Sequence, residues 1–161
     1  MNVRITLFAF LCMIVSIARS QNDTTEVMKV IDNLFLAMST NDSAIAAGLF
    51  TDDAMLHTVF KDESGLTARR ASPAARLPEA FSKPKKETWT EPIWNPRLHI
   101  QDGLATVWVD YAFYIDSTFS HCGVDAFHLM ESPSGWKIFH LTDTRKSEGC
   151  ELPKEILSRY Q

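Results

Sequence analysis

Hydrophobic positions Val27, Val30, Ile31, Leu34 and Met38 recur at helical spacing, and Asp23 and Glu26 stand ahead of them as a capping-box-like start. The pattern predicts an amphipathic helix of about four turns, ended by Thr40-Asn41. Asp42 is placed to cap a second, short helix carrying Ile45, Leu49 and Phe50. Ala54 to Phe60 then reads as a strand, Glu63-Ser64-Gly65 as a hairpin turn, and Leu66 to Arg69 as a weak second strand. Ser72-Pro73 supplies an N-cap and N1 pair for a third helix, which Pro78 limits or bends.

From Thr88 onward the period changes to that of long strands. Thr88 to Gln101 is extended but interrupted by Pro92 and Pro96, as suits an edge or bulged strand. Asp102-Gly103 is a hairpin turn. Strands are predicted at Leu104 to Ile115, Cys122 to Glu131 and Trp136 to Thr144, with a turn over Ser132 to Gly135. Leu152 to Tyr160 closes the chain as a small helix or a frayed end. No internal repeat interrupts this order, and the expected fold class is α+β.

The first twenty residues have a different character. Arg4 precedes an apolar run from Leu7 to Ile17 broken only by Ser16, and Ala18-Arg19-Ser20 puts small residues at −3 and −1 of a cleavage site before Gln21. A run of that length is too short to span a bilayer, so it reads as a signal peptide over residues 1–20. Cys12 also invites a lipoprotein reading, but Phe10-Leu11 stand where small residues would precede a lipidated cysteine. The expected product is a secreted or periplasmic single domain over residues 21–161, with no membrane contact after cleavage.

Loss of residues 1–20 removes two of the 16 basic residues, Arg4 and Arg19, and none of the 20 acids. The formal charge moves from −4 for the whole chain to about −6 for the mature part, which argues against a nucleic-acid partner. The basic run at Arg69-Arg70 and Lys83 to Lys86 reads as solvated loop charge. Cys122 and Cys150 remain, and an even pair in an oxidising compartment suggests a disulfide. A redox or metal-binding thiol pair would call for CxxC spacing or a tight Cys/His cluster, and neither is present.

The order of two helices, a hairpin, a third helix and a meander of long strands resembles the nuclear transport factor 2-like (SnoaL-like) superfamily. The resemblance rests on Leu49-Phe50-Thr51-Asp52-Asp53-Ala54 after the helix pair, on Ala105-Thr106-Val107-Trp108, and on the closing Gly135-Trp136-Lys137-Ile138. Asp143-Thr144-Arg145 to Gly149-Cys150 is similar to an exported subgroup without assigned activity. It implies a cone: a curved, mostly antiparallel sheet wrapped around about three helices. That fold hosts isomerases, dehydratases, cyclases, transport factors and binding proteins, so it does not choose an activity.

Ketosteroid isomerase-like members place a carboxylate base on the first strand and a tyrosine on the first helix. Here those positions fall on Thr58 and Leu34, and that mechanism lacks both groups. Scytalone dehydratase-like members use His, Asp and Tyr, for which this chain offers His57, His99, His128, Asp125, Tyr111 and Tyr114. Strand alternation puts Asp125 and His128 on opposite faces, so the two share a pocket only across a bulge. The candidate catalytic set is His57, Asp125 and Tyr111, and Trp94, Trp108 and His128 are candidate ligand contacts. Each also has a structural role open to it, a hydrogen-bonded core histidine for His57 and core packing for the tryptophans.

The histidines at 57, 99, 121, 128 and 140 show no i, i+4 helical pair; strand neighbours could still converge, but the pattern does not point to a metal, and none is expected. No cofactor is expected either. The leading reading is a pocket for a small, partly apolar molecule in an exported cone-fold domain, with homodimerisation through the outer sheet. The alternatives are an isomerase or dehydratase and a protein-interaction module working through the sheet face. An enzyme predicts an inward His or carboxylate with a shifted pKa, and a binder predicts an apolar pocket with few titratable groups.

Overall fold

Three strands with near-continuous alternation form the middle of the sheet: β5 (Leu104–Ile115), β6 (Thr118–Ser132) and β7 (Gly135–Arg145). Ala105, Val107 and Val109 on β5 and Phe127 and Leu129 on β6 are buried on one face. Their neighbours Thr106, Trp108, Ala126 and His128 face the other way, the expected consequence of a period of two. The computed structural model describes residues 3–83 and 86–160, with side chains from residue 21. The expected signal peptide and cleavage site therefore lie where at most the backbone is described.

Helix α1 (Val3–Thr40) lays Val27, Ile31, Leu34, Ala37 and Met38 against the inner face of the sheet. Burial of each larger side chain stabilises the fold by about 1.5–3 kcal/mol. The helix runs straight through Asp23 and Glu26, so the capping-box start expected there does not form. Asp42 does cap α2 (Ser43–Ala47), its Oδ1 accepting from the backbone N–H groups of Ala44 and Ile45 at 3.0 and 2.9 Å. Among the described residues no helix is long and apolar enough to cross a membrane.

Strand β1 (Phe50–Lys61) pairs antiparallel with β2 (Thr67–Pro73) and parallel with β7. Ser72 and Pro73 belong to β2, opposite Leu56 and Met55, and do not open the third helix. Cross-strand pairing to β1 holds them extended, and α3 begins later, at Arg76–Ser82. Pro78 lies in its first turn, where a missing N–H costs no intrahelical bond.

The interrupted segment resolves into β3 (Trp89–Thr90) and β4 (Ile93–Gln101), both paired with β5. Pro96 sits in a bulge between Trp94 and Arg97, beside Asn95 at φ 51°, and Asp102 and Gly103 form the tight turn at φ 51° and 79°. The sheet order is β2-β1-β7-β6-β5-β3, with β4 also on β5.

Cys122 and Cys150 form a disulfide 28 residues apart, with Cα atoms 6.1 Å from each other. It ties the segment before α4 (Lys154–Tyr160) to β6, and Tyr160 stacks on Tyr114 at 4.2 Å. Closing a loop of this length contributes about 3–4 kcal/mol in the chain-entropy account. The double replacement Cys122→Ala/Cys150→Ala is expected to lower the calorimetric midpoint by on the order of 10 °C. An unchanged midpoint would mean that the Tyr114–Tyr160 packing alone secures the chain end.

Candidate functional site

Polar residues on the inner face of a sheet are costly unless partnered, so they locate the site. Asp125 and Asp143 are 3% and 5% exposed, on the same face as the core. Glu91 joins them from the link between β3 and β4. The register that sets Trp89 opposite Ile115 and Ile93 opposite Tyr111 turns Glu91 to the inner face as well. Arg145, two residues beyond Asp143 on β7, completes the group.

These side chains floor a pocket of about 60 Å³, walled by Leu34, Phe35, Met38, Leu56, Leu77 and Leu141. Tyr111 also reaches it. That volume holds a few waters or one functional group of a ligand. The wall is mostly aliphatic.

Asp143 is fully partnered: it accepts from Thr58 Oγ1 at 2.7 Å and from Arg145 Nε at 2.5 Å. Asp125 is not. No amide, hydroxyl or cationic donor of the described residues reaches its buried Oδ2. Its neighbour is Glu91, carboxyl to carboxyl, a contact that holds only with a proton between them. Burial pushes Glu91 up to about 7, with Asp125 as hydrogen-bond partner and Arg145 opposing the rise and Asp143 adding to it. Burial, then the charges of Glu91 and Asp143, raises Asp125 well above the usual carboxylate range. The two titrate as a pair.

Tyr111 is also pushed up, by burial first and then by the three carboxylates. Its hydroxyl donates to the Thr144 carbonyl at 2.8 Å, so its proton is committed to the backbone. His121 lies alongside, its ring edge-on to Tyr111 at 5.7 Å and stacked on Phe113 at 4.9 Å. Burial and the charge of Arg145 hold it down to about 4, so the imidazole is neutral at pH 7.

Of the candidates named from sequence, Asp125 and Tyr111 line this pocket. His57 lies on the opposite face, where Arg69 Nη1 donates to its Nδ1 at 2.6 Å. Trp108 is 44% exposed on that outer face, in a groove of about 480 Å³ with Arg97, His99 and His128. Trp94 packs with Tyr114, Leu152 and Tyr160 under the C-terminal segment and lines a separate, open cavity of about 610 Å³ that Tyr111 and Thr144 also reach. Glu91 and His121 are not candidates on sequence, whereas Asp143 to Arg145 reads there as a possible rim segment, with Arg145 a possible partner of Asp125. A signal existed for Asp143 and Arg145, which share the parity of Leu141 on β7; Glu91 gave none, because its facing depends on the pairing with β5.

No family model matches the sequence, and no curated protein does either. Solved structures match well. An NTF2-like protein with a cystatin-like fold from Novosphingobium aromaticivorans superposes with a TM-score of 0.67 at 12% identity, over 89% of this chain and 94% of that one. The chain has the NTF2-like fold. An NTF2-like superfamily protein from Salmonella enterica gives a TM-score of 0.59 at 15% identity, covering 81% and 96%. A protein described as the β subunit of an aromatic-ring-hydroxylating dioxygenase, also from N. aromaticivorans, gives 0.64 at 11%, covering 82% and 94%.

Leu34 and Thr58, for which the isomerase-like resemblance leads one to expect a tyrosine and a base, supply neither group. Leu34 lines the pocket as an apolar wall, and Thr58 is buried as a donor to Asp143. The carboxyls of this pocket come instead from the β3–β4 link, β6 and β7.

Proposed function

We propose that the inner pocket takes the polar end of a small, partly apolar molecule and moves a proton on it. The observation that carries this reading is the Glu91–Asp125 carboxyl pair on the floor of an apolar-walled pocket. Glu91, raised to about 7, populates both protonation states near neutral pH, as a general base that later returns its proton requires. With the pair's proton on Asp125, that carboxyl donates a hydrogen bond to a carbonyl oxygen and stabilises the enolate that forms when Glu91 removes the adjacent C–H. The Asp143–Arg145 ion pair fixes the charge behind them. The apolar remainder of the substrate rests on Phe35, Met38 and Leu77.

This is the isomerase or dehydratase class, with carboxyls in place of histidine. The Cys122–Cys150 bond supports work in an oxidising compartment outside the cytosol.

The test is exchange of α-hydrogens of cyclopentanone with D2O at pH 7, followed by proton NMR. Wild-type protein is expected to accelerate it, and Glu91→Gln and Asp125→Asn to lose about 10²-fold or more of that acceleration. Exchange no faster than in buffer, or equal in the variants, overturns the reading. Native mass spectrometry of protein from its own compartment, showing a small molecule retained unchanged, would then leave a binding pocket.

A further inference from the structure

The outer face of the sheet carries a row of imidazoles that the pocket chemistry does not use. His57 on β1, His140 on β7 and His128 on β6 stand side by side, with ring centroids 4.9 Å apart for the first two and 5.3 Å for the second two. His128 and His140 are direct cross-strand partners. Their Nδ1 atoms face each other at 3.3 Å.

Two neutral imidazoles in that arrangement share a single proton between two nitrogen lone pairs. The same separation is the bite of a tetrahedral metal ion: two nitrogens about 2.0–2.1 Å from zinc and at the tetrahedral angle lie about 3.3 Å apart. We infer that His128 and His140 chelate a borderline transition-metal ion, zinc(II) in the first instance, on the outer face of the sheet.

Binding moves the shared proton to an Nε2 atom and leaves both Nδ1 lone pairs for the metal. For His140 the receiving group is in place, since Thr142 Oγ1 lies 3.5 Å from its Nε2 and can accept the displaced N–H. Strand pairing fixes both Cα positions before the ion arrives, so little ordering is spent on binding.

Among the described residues no group of three or more His, Cys, Asp or Glu converges on one point. The protein therefore supplies two ligands and water the rest, which gives an exchangeable ion in place of a structural one. His57, the next in the row, is occupied at Nδ1 by Arg69 and stays outside the set. The chain's net charge of −4 favours cation approach at long range, and Arg69 near His140 opposes it locally.

The experiment is calorimetric titration of zinc(II) into the untagged full-length protein at pH 7.5, repeated with His128→Ala and His140→Ala. Uptake of one ion per chain, weakened at least tenfold in each variant, is the expected result. Ring-proton NMR of the wild type gives a readout independent of variant folding, with the His128 and His140 signals shifting on zinc addition ahead of His99 and His121. Cobalt(II) in place of zinc is expected to show the intense visible bands of tetrahedral coordination. No saturable uptake, uptake unchanged in either variant, or first shifts at other histidines overturns the proposal.

Discussion

Gly123→Ala is expected to abolish the folded state or destabilise it by at least about 4 kcal/mol, a large part of the 5–15 kcal/mol that holds a domain of this size. Gly123 lies on β6 where Thr144 of β7 passes close to it. A Cβ there would stand 1.8 Å from the Thr144 carbonyl oxygen, 2.7 Å from its carbonyl carbon and 2.9 Å from its Oγ1. Two of those atoms are backbone, so no rotamer change relieves the overlap, and the strands must part.

Parting them breaks what the two strands share. Val124 N–H donates to Thr144 Oγ1 at 3.1 Å, and Cys122 and Lys146 exchange backbone bonds of 2.9 and 3.0 Å. Tyr111 also loses its acceptor, the Thr144 carbonyl. Urea unfolding of the alanine variant measures the effect, and a midpoint close to wild type would show that β7 can move away at little cost.

Glu91→Gln is expected to make the protein more stable at pH 8 by roughly 3 kcal/mol, while removing the proton carrier from the pocket. Below pH 4.5 the Glu91 carboxyl holds its proton in both folded and unfolded chains, and it contributes no difference. As pH rises from there to about 7 the unfolded chain releases the proton and the folded chain keeps it, so the folded state loses stability. Above that the loss is complete. Asp125, raised in the same direction, adds to it.

His121 works the other way. Its folded pKa is lowered to about 4, so its contribution is present above the ordinary value of 6.5 and is lost as pH falls towards 4. The difference between variant and wild type at each pH cancels this opposing contribution. Denaturant unfolding of both proteins at pH 5 and pH 8 should show that difference growing by roughly 2–3 kcal/mol. A difference independent of pH would mean that Glu91 ionises in the fold as it does in water. Stability given up at the pH of use is the usual cost of a buried proton carrier.

The local elements were legible where the chain's own chemistry specifies them. The strand expected over Leu104 to Ile115 has the bounds of β5, Asp42 caps α2, and Asp102-Gly103 adopts the positive φ values that a tight hairpin demands. Ser72-Pro73 shows the limit of such reading. The pair carries a helix-start signal, yet bonds to β1 held it in a strand. Asp23 and Glu26 likewise became interior positions of a longer helix.

Sequence alone determined the α+β order of elements, the buried stripe of α1 from Val27 to Met38, and the two cysteines that form the disulfide. Each depends on neighbours a few residues away or on residue type. Tertiary structure decided the site. Glu91, Asp125, Asp143 and Arg145 come from three separate segments and meet only through the register of β3, β4, β6 and β7. It also sent His57 and His128 to the outer face. A shift of one residue in pairing reverses every side chain on a strand, and that choice is made by partners distant in sequence.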